Sequence, residues 1–206
     1  MAPRLRLTVQ APGRRSLHWL AFCALLGLGA LAAQPLPDAS IEWQPLRAAT
    51  QPWRWWSAAF VHYSPLHLAA NVGACAVVGA FGWAARLPVR WTAAFAVAWP
   101  LTHLALLAVP ALARYGGLSG MLHAGVAITC IGLMWRERGS RRAIGAAVFV
   151  GMGVKLLIER PWQGPVQHLP EWDIGVAPIA HVAGAAAGIA CALVVCATTP
   201  RGTIAP

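Results

Sequence analysis

The chain has 206 residues, of which 58% are hydrophobic and 11% are charged, whereas an average soluble domain has about 25% charged residues. Its mean hydropathy of +0.59 leaves too little polar surface for a water-soluble domain, so the composition indicates a polytopic membrane protein folded as one bundle. The net charge of +10 does not indicate a nucleic-acid partner, because the arginines flank apolar segments.

Six apolar segments are long enough to cross a bilayer, which takes about 20 residues in a helix. They predict spans over 17–33, 58–82, 91–110, 117–135, 141–158 and 177–197. The predicted fold class is an all-α bundle of six transmembrane helices over 17–197, with tails over 1–16 and 198–206. The first span lacks a convincing cleavage site and is expected to remain as a signal anchor. The cysteines lie in apolar segments without metal-like spacing and are interpreted as packing residues: Cys23, Cys75, Cys130, Cys191 and Cys196.

The placement of arginines predicts how the bundle is oriented, because cytoplasmic loops are enriched in Lys and Arg. With the N-terminus inside, the cytoplasmic segments hold eleven arginines: Arg4, Arg6, Arg14, Arg15, Arg86, Arg90, Arg136, Arg138, Arg141, Arg142 and Arg201. The outer loops then hold four: Arg47, Arg54, Arg114 and Arg160. Five of the six acidic residues face outward. The sequence therefore predicts an N-in/C-in topology, in which spans two, four and six run from the outside to the inside.

A serine flanked by glycines opens the fourth predicted span, in Gly117-Leu118-Ser119-Gly120. A serine in a membrane helix often bonds a backbone carbonyl or packs as a small residue, which is one interpretation of Ser119. The glycines favour another, because they remove bulk and let a substrate backbone approach the hydroxyl. The free N–H groups of a helix N-terminus also favour developing negative charge. Ser119 is therefore a candidate nucleophile near the outer leaflet.

A histidine, His181, opens the sixth predicted span at the same depth. An unpartnered polar group in an apolar environment costs roughly 2–7 kcal/mol, and its neighbours in sequence are apolar, so a partner must come from another helix. Gly184 and Gly188 follow as a small-xxx-small face that lets two helices approach closely. If that face packs on span four, His181 reaches Ser119 as a base. A structural histidine bonded across helices is the alternative.

His67 and Asn71 are four residues apart on span two and share one helix face. A metal site is disfavoured because Asn is a poor ligand and no carboxylate is expected at that depth, so we expect no metal and no cofactor. Two hydrogen-bonding side chains suit an oxyanion, where one donor contributes about 3–4 kcal/mol in the transition state. An interhelical hydrogen-bond clamp is the alternative.

Three further histidines fall near these positions. His123 lies four residues after Ser119 on the same face, His62 lies near the outer interface in span two, and His103 in span three is interpreted as structural. No aspartate or glutamate is expected at membrane depth as a third catalytic group, so the sequence predicts a Ser–His dyad and not a triad.

These motifs resemble those of the rhomboid intramembrane serine proteases, over essentially the whole chain. The family's GxSG motif corresponds to 117–120, its His-xxx-Asn motif to 67–71, preceded by His62, and its AHxxGxxxG motif to 180–188. A Trp53-Arg54 pair precedes span two, as in the family's first loop.

The resemblance implies a role for each matched residue. Ser119 would be the nucleophile and His181 the general base, while His67, Asn71 and the Ser119 backbone N–H would form the oxyanion site. Gly117, Gly120, Gly184, Gly188 and His62 would support them.

One departure points to a branch of the family. Many rhomboids carry a tyrosine four residues after the serine, and this chain has His123 there, where it would support or tune His181. The run 117–123 looks like that of the rhombosortases, bacterial rhomboids of compact form. Their implied partners are the lipid bilayer and secreted proteins with a C-terminal Gly-Gly motif, a transmembrane helix and a basic tail. The implied location is the bacterial inner membrane, with the active site toward the outside and the connection 159–176 as a cap.

Two other functions remain open from the sequence. A rhomboid-like pseudoprotease would bind transmembrane clients without cutting them, but such proteins usually lack the serine or the histidine. A small transporter or channel would need intramembrane charges or a polar path across both leaflets, whereas the polar residues here are predicted at one depth.

Overall fold

A computed structural model describes residues 17–199. In chain order the helices are α1 (Leu17–Ala32), α2 (Asp38–Ile41), α3 (Arg54–Ser57), α4 (Pro65–Ala84), α5 (Val89–Ala105), α6 (Ser119–Arg136), α7 (Gly139–Ile158) and α8 (Pro178–Ala197). Between α7 and α8, two short strands, β1 (Gln167–His168) and β2 (Gly175–Val176), pair antiparallel. The mostly helical architecture agrees with the predicted all-α class, and the sequence did not predict the hairpin in the connection before α8. The predicted tails, apart from 198–199, lie outside the described residues.

Three segments of the described chain are both long and apolar enough to cross a membrane: Pro65–Ala84, Val89–Ala108 and Pro178–Ala197. Helix α1 is apolar but has only 16 residues. Helices α6 and α7, of 18 and 20 residues, are not among the three. The prediction of six spans and its N-in/C-in topology therefore stays a prediction.

The second predicted span begins later than expected. Residues 58–64 form a short 3-10 turn and extended chain, and α4 starts at Pro65, so the predicted bounds 58–82 are wrong at their start. The physical cause is local: Ser64 caps the helix by accepting a hydrogen bond from the His67 backbone N–H at 3.1 Å, and Pro65 stands at the first helical position, which suits its fixed φ. His62 consequently precedes the helix and does not lie on it.

Aromatic side chains fill the core between α1, α4 and α5. Trp19 is fully buried, stacks on Phe95 with ring centroids 4.9 Å apart, and donates its indole N–H to the Val78 carbonyl at 2.9 Å. A side chain on Gly82 would overlap this indole, so the glycine lets α1 and α4 pack around it. The five cysteines are buried free thiols, which agrees with their interpretation as packing residues.

The long first connection, 33–64, is organised by one buried arginine. The Arg54 guanidinium donates to the carbonyls of Glu42 at 2.5 Å and Ala39 at 2.9 Å, and to the Gln51 side chain at 2.6 Å. Trp43 is fully buried and pairs with Tyr115, just before α6, through two backbone hydrogen bonds. Backbone hydrogen bonds therefore join the first connection to the chain segment that precedes Ser119.

Candidate functional site

Helices α6 and α8 approach closely because glycines face each other across their contact. A Cβ on Gly184 would fall on the Gly120 carbonyl, and one on Gly188 would lie 2.5 Å from the Ala124 carbonyl oxygen. A Cβ on Gly120 would in turn lie 2.7 Å from the Ala180 carbonyl oxygen. Only residues without a side chain fit at such distances. The small-xxx-small face of α8 therefore packs on α6, which is the condition under which the sequence brings His181 to Ser119.

This contact brings the serine and the histidine together. Ser119 is the first residue of α6, His181 lies in the first turn of α8, and the Ser119 Oγ is 3.0 Å from the His181 Nε2. The histidine is 7% exposed. The distance is that of a hydrogen bond and fits the spacing of an activated nucleophile and its base.

A carboxylate contacts the other side of the same imidazole. Glu159 follows the last residue of α7, and its Oε2 is 2.8 Å from the His181 Nδ1. The expectation that no aspartate or glutamate is available to the histidine is therefore wrong. It failed because Glu159 belongs to the connection after α7 by sequence, whereas the end of α7 lies beside the start of α8 in space.

The Glu159 carboxyl is held ionised by its neighbours. Burial raises its pKa, but hydrogen bonds and charge from His181 and from Lys155 outweigh burial and lower the pKa from 4.5 to about 2. An ionised carboxylate only accepts hydrogen bonds, so the His181 Nδ1 carries the proton and donates to it. With the proton on Nδ1, the lone pair of the His181 Nε2 is directed at the Ser119 hydroxyl.

His123 and Lys155 complete a polar cluster around the histidine. The His123 ring stacks on the His181 ring, with centroids 4.4 Å apart and planes 17° from parallel. Its Nδ1 lies 2.7 Å from the Ser119 carbonyl oxygen and donates to it, and its Nε2 accepts from the Lys155 Nζ at 3.1 Å. The same ammonium lies 2.5 Å from the Glu159 Oε1. Lys155 therefore contacts two members of this cluster, His123 and Glu159.

His67 and Asn71 approach the serine from α4. A Cβ on Gly117 would lie 2.7 Å from the His67 Nε2 and 3.9 Å from the Asn71 Nδ2, so both nitrogens border the chain just before Ser119. Gly117 has a φ of +124°, which L side chains rarely adopt, so glycine meets both a conformational and a spatial requirement here. The Asn71 Nδ2 also donates to the His67 carbonyl at 3.0 Å, which leaves its second N–H for another acceptor.

The proton of the His67 ring is better placed on Nε2 than on Nδ1. The Nδ1 is buried and has no hydrogen-bond partner among the described residues, and a buried N–H without an acceptor is costly. His62 packs beside it, with ring centroids 4.8 Å apart, and hydrogen-bonds the Phe60 carbonyl through its Nδ1 at 3.1 Å. His62 thus supports His67 from the segment before α4.

Tyr115 connects the approach to α6 with the start of that helix. Its hydroxyl donates to the Gly117 carbonyl at 3.2 Å and accepts from the Gly120 N–H at 3.4 Å. Because the tyrosine is 6% exposed and its backbone pairs with Trp43, these hydrogen bonds hold the turn that presents Ser119.

The residues around Ser119 and His181 line a cavity of about 890 Å³. Its polar floor includes Ser119, His181, His67, Asn71 and His123, while most of its wall is apolar. The connection 159–176, predicted as a cap, contributes Val166, Leu169 and Trp172 to the lining, among other residues. The predicted site residues His67, Asn71, Ser119, His123 and His181 therefore face one cavity.

The rhomboid domain model matches residues 49–198, which is most of the chain and includes every residue of this site. This chain belongs to the rhomboid family. Rhomboid family proteins are generally intramembrane serine proteases, and the family together with the apolar helices indicates an integral multi-pass membrane protein. No curated protein matches the chain.

Three residues of this rhomboid site were not found by sequence reasoning: Lys155, Glu159 and Tyr115. Glu159 had a usable signal, since Lys155 and Glu159 are four residues apart at the end of an apolar segment and form an ion pair on one helix face. Tyr115 had none, because a lone tyrosine before a span is equally typical of the membrane interface.

Proposed function

We propose that this rhomboid is an intramembrane serine endopeptidase in which Ser119 is the nucleophile and His181 the general base. The observation that carries the proposal is the 3.0 Å contact between the Ser119 Oγ and the His181 Nε2 at the floor of the cavity. A base within hydrogen-bond reach, itself oriented by a third group, is the arrangement that activates a hydroxyl.

The proton transfers follow from the ring nitrogens. The Ser119 Oγ attacks the carbonyl carbon of the scissile peptide bond while its proton moves to the His181 Nε2. The tetrahedral intermediate then breaks its C–N bond, and the same Nε2 gives the proton to the leaving nitrogen. Water attacks the resulting ester, loses a proton to Nε2, and Ser119 recovers it as the new carboxyl end leaves.

Negative charge on the carbonyl oxygen is stabilised by donors around Gly117. We assign this role to the His67 Nε2–H, the free Asn71 N–H and the backbone N–H of Ser119, which borders the open N-terminus of α6. Loss of one such donor costs about 10²–10³-fold in kcat in a serine protease. The absence of a side chain on Gly117 keeps the space between these donors open.

The proposed substrates are membrane-anchored secreted proteins. The proposal places six spans in the bacterial inner membrane with the N-terminus and C-terminus inside, so that the cavity faces outward. It assigns the chain to the rhombosortase branch, whose substrates carry a C-terminal Gly-Gly motif, a transmembrane helix and a basic tail. The support is the run 117–123, in which His123 stacks on His181. A substrate helix unwinds readily at glycines, because glycine has a low helix propensity, so exposing a backbone carbonyl to Ser119 is less costly there.

The test is cleavage of a Gly-Gly-anchored substrate in membranes by Ser119→Ala and His181→Ala variants. Each should lose at least about 10³-fold in rate, since removing a member of such a unit disables it. Ser140→Ala and His168→Ala are matched controls, because both residues are exposed and outside the cavity lining, and both variants should keep full activity. Full activity of Ser119→Ala or His181→Ala would overturn the proposal.

A fluorophosphonate probe separates a protease from a rhomboid-like protein that only binds clients. The probe should label Ser119 in the wild-type chain and fail to label it in the His181→Ala variant. Capture of the anchored substrate without cleavage or labelling would support the binding protein instead.

A further inference from the structure

We propose that Glu159 is a positioning residue that holds the His181 ring with its Nε2 directed at Ser119, and that Lys155 holds Glu159. The site would then work as a carboxylate–histidine–serine array and not as an isolated dyad. The inference rests on the proposed function, since it concerns the base of that same reaction.

The first argument concerns the orientation of the ring. The His123 ring covers one face of His181 at 4.4 Å, but a stacking contact does not determine which edge of the imidazole faces the serine. A rotation of the ring by 180° about its bond to Cβ would place a ring carbon, and not Nε2, next to the Ser119 hydroxyl. The hydrogen bond from Nδ1 to the Glu159 Oε2, at 2.8 Å, lies in the ring plane and does distinguish the two orientations. Glu159 therefore fixes both the rotamer and the tautomer that Ser119 needs.

The second argument concerns charge during the reaction. When the Ser119 proton moves to Nε2, the imidazolium forms beside the Glu159 carboxylate, which stabilises it. The other titratable groups around the ring are Lys155 on α7, His123 on α6 and His67 on α4. Without the carboxylate, the new positive charge would face the Lys155 ammonium with no intervening anion. Glu159 thus separates two cations that would otherwise repel each other.

The third argument concerns how Glu159 is held. Its Oε1 accepts from the Lys155 Nζ at 2.5 Å, and its Oε2 accepts from His181, so the two oxygens have different partners. Lys155 and Glu159 are one helical turn apart, and the Glu159 backbone N–H still bonds the Lys155 carbonyl at 3.0 Å. The Glu159 side chain is 17% exposed, so its carboxylate is largely shielded from water, whereas the Lys155 side chain is 49% exposed.

The experiment compares Glu159→Gln and Glu159→Asp with Glu137→Gln, a control that alters the glutamate paired with Arg141 at the opposite end of α7. Substrate cleavage gives kcat and KM, and thermal unfolding checks the fold. Loss of the aspartate from a buried triad costs about 10⁴ in kcat. For the partly exposed Glu159 we expect about a 10²-fold loss in kcat in Glu159→Gln, with KM changed by less than about threefold. Glu137→Gln should match the wild type.

A second readout does not depend on activity. In ¹⁵N spectra of histidine-labelled protein, the His181 signal is identified by its absence from His181→Ala. The wild type should show the Nδ1–H tautomer. Glu159→Gln should lose it in part, because the amide can donate to Nδ1 as well as accept from it. Glu159→Asp keeps the charge with a shorter reach, so it should keep the tautomer and lose about 10-fold in kcat.

The outcomes separate the two proposals. A wild-type chain that neither cuts nor reacts with the fluorophosphonate overturns the proposed function, and its ¹⁵N spectrum still tests the role of Glu159. A chain that cuts, but whose Glu159→Gln variant keeps kcat within about threefold, overturns the positioning role alone. If Glu159→Gln does not fold, Glu159→Asp decides: unchanged kcat together with an Nε2–H tautomer in the wild type would overturn the inference.

Discussion

The helix pair α6 and α8 differs from α7 in how each contributes to the site. In α6, eleven of 18 residues are buried, and in α8, twelve of 20, whereas in α7 only two of 20 are buried, Gly145 and Met152. The pair supplies Ser119 and His181 through backbones that nearly touch. Helix α7 supplies Lys155, and Glu159 just beyond it, through long side chains at its end.

This difference separates two ways of building one site. The distance between Ser119 and His181 is set by close packing of small residues, so a single added methyl group changes it. The contact of Glu159 with His181 is set by charge and by flexible side chains, which adapt to small shifts. We therefore expect substitutions in the α6–α8 contact to act on activity and stability together, and substitutions at the end of α7 to act mainly on activity.

Among the substitutions that test this difference between the helices, Gly184→Ala is expected to have the largest effect. The new Cβ would fall on the Gly120 carbonyl, so α6 and α8 must separate. A displacement of about 1 Å at the reacting atoms costs on the order of 10²-fold in rate, and overpacking of this kind costs about 1–3 kcal/mol of stability. Cleavage assays and thermal unfolding measure the two.

The matched control is Gly153→Ala on α7, where a Cβ would meet no heavy atom within 4 Å. It should leave cleavage unchanged and alter the free energy of unfolding by at most about 1 kcal/mol, in the stabilising direction, because alanine is the better helix former. Equal losses in Gly184→Ala and Gly153→Ala would contradict the proposed difference between the helices.

A smaller effect is expected from Lys155→Met. The substitution removes the partner of the Glu159 Oε1 and of the His123 Nε2 but leaves the contact between Glu159 and His181. Because the lysine side chain is 49% exposed, water replaces part of what is lost, and we expect about a 10-fold fall in kcat with little change in unfolding. Arg142→Met, at the exposed start of α7, is the control and should keep full activity. A fall in kcat as large as that of Glu159→Gln would contradict this ranking, because it would mean that Lys155 acts on His181 or the substrate directly and not only through Glu159.

The smallest effect is a dependence of stability on pH. The pKa of Glu159 is lowered from 4.5 to about 2 in the folded chain, so the carboxylate stabilises the fold above pH 4.5 and this contribution is lost as the pH falls toward 2. The wild type should therefore be more stable than Glu159→Gln by about 1 kcal/mol at pH 6, and the difference should shrink between pH 4.5 and 2. Unfolding of both variants across this range measures it, and a difference that grows on acidification would contradict the assignment.

Much of the helical architecture could be predicted because apolar runs and helix signals are local. The predicted starts of α6 and α8 lie within two residues of the observed Ser119 and Pro178. The start of α4 was misjudged because the apolar residues of 58–63 resemble a span, and hydropathy alone does not register the break that Ser64 and Pro65 impose. Apolar character fixes which segments avoid water, not where a helix begins.

The sequence by itself determined the class of protein, the serine and histidine, and the small-residue face through which they meet. These follow from composition and short motifs, because a polar residue in an apolar helix needs a partner and glycines allow close approach. Only the tertiary structure decided that Glu159 reaches His181, that Lys155 bonds Glu159 and His123, and that Tyr115 holds the turn before Ser119. The physical reason is that these contacts join segments far apart in the chain, and their distances depend on how whole helices pack.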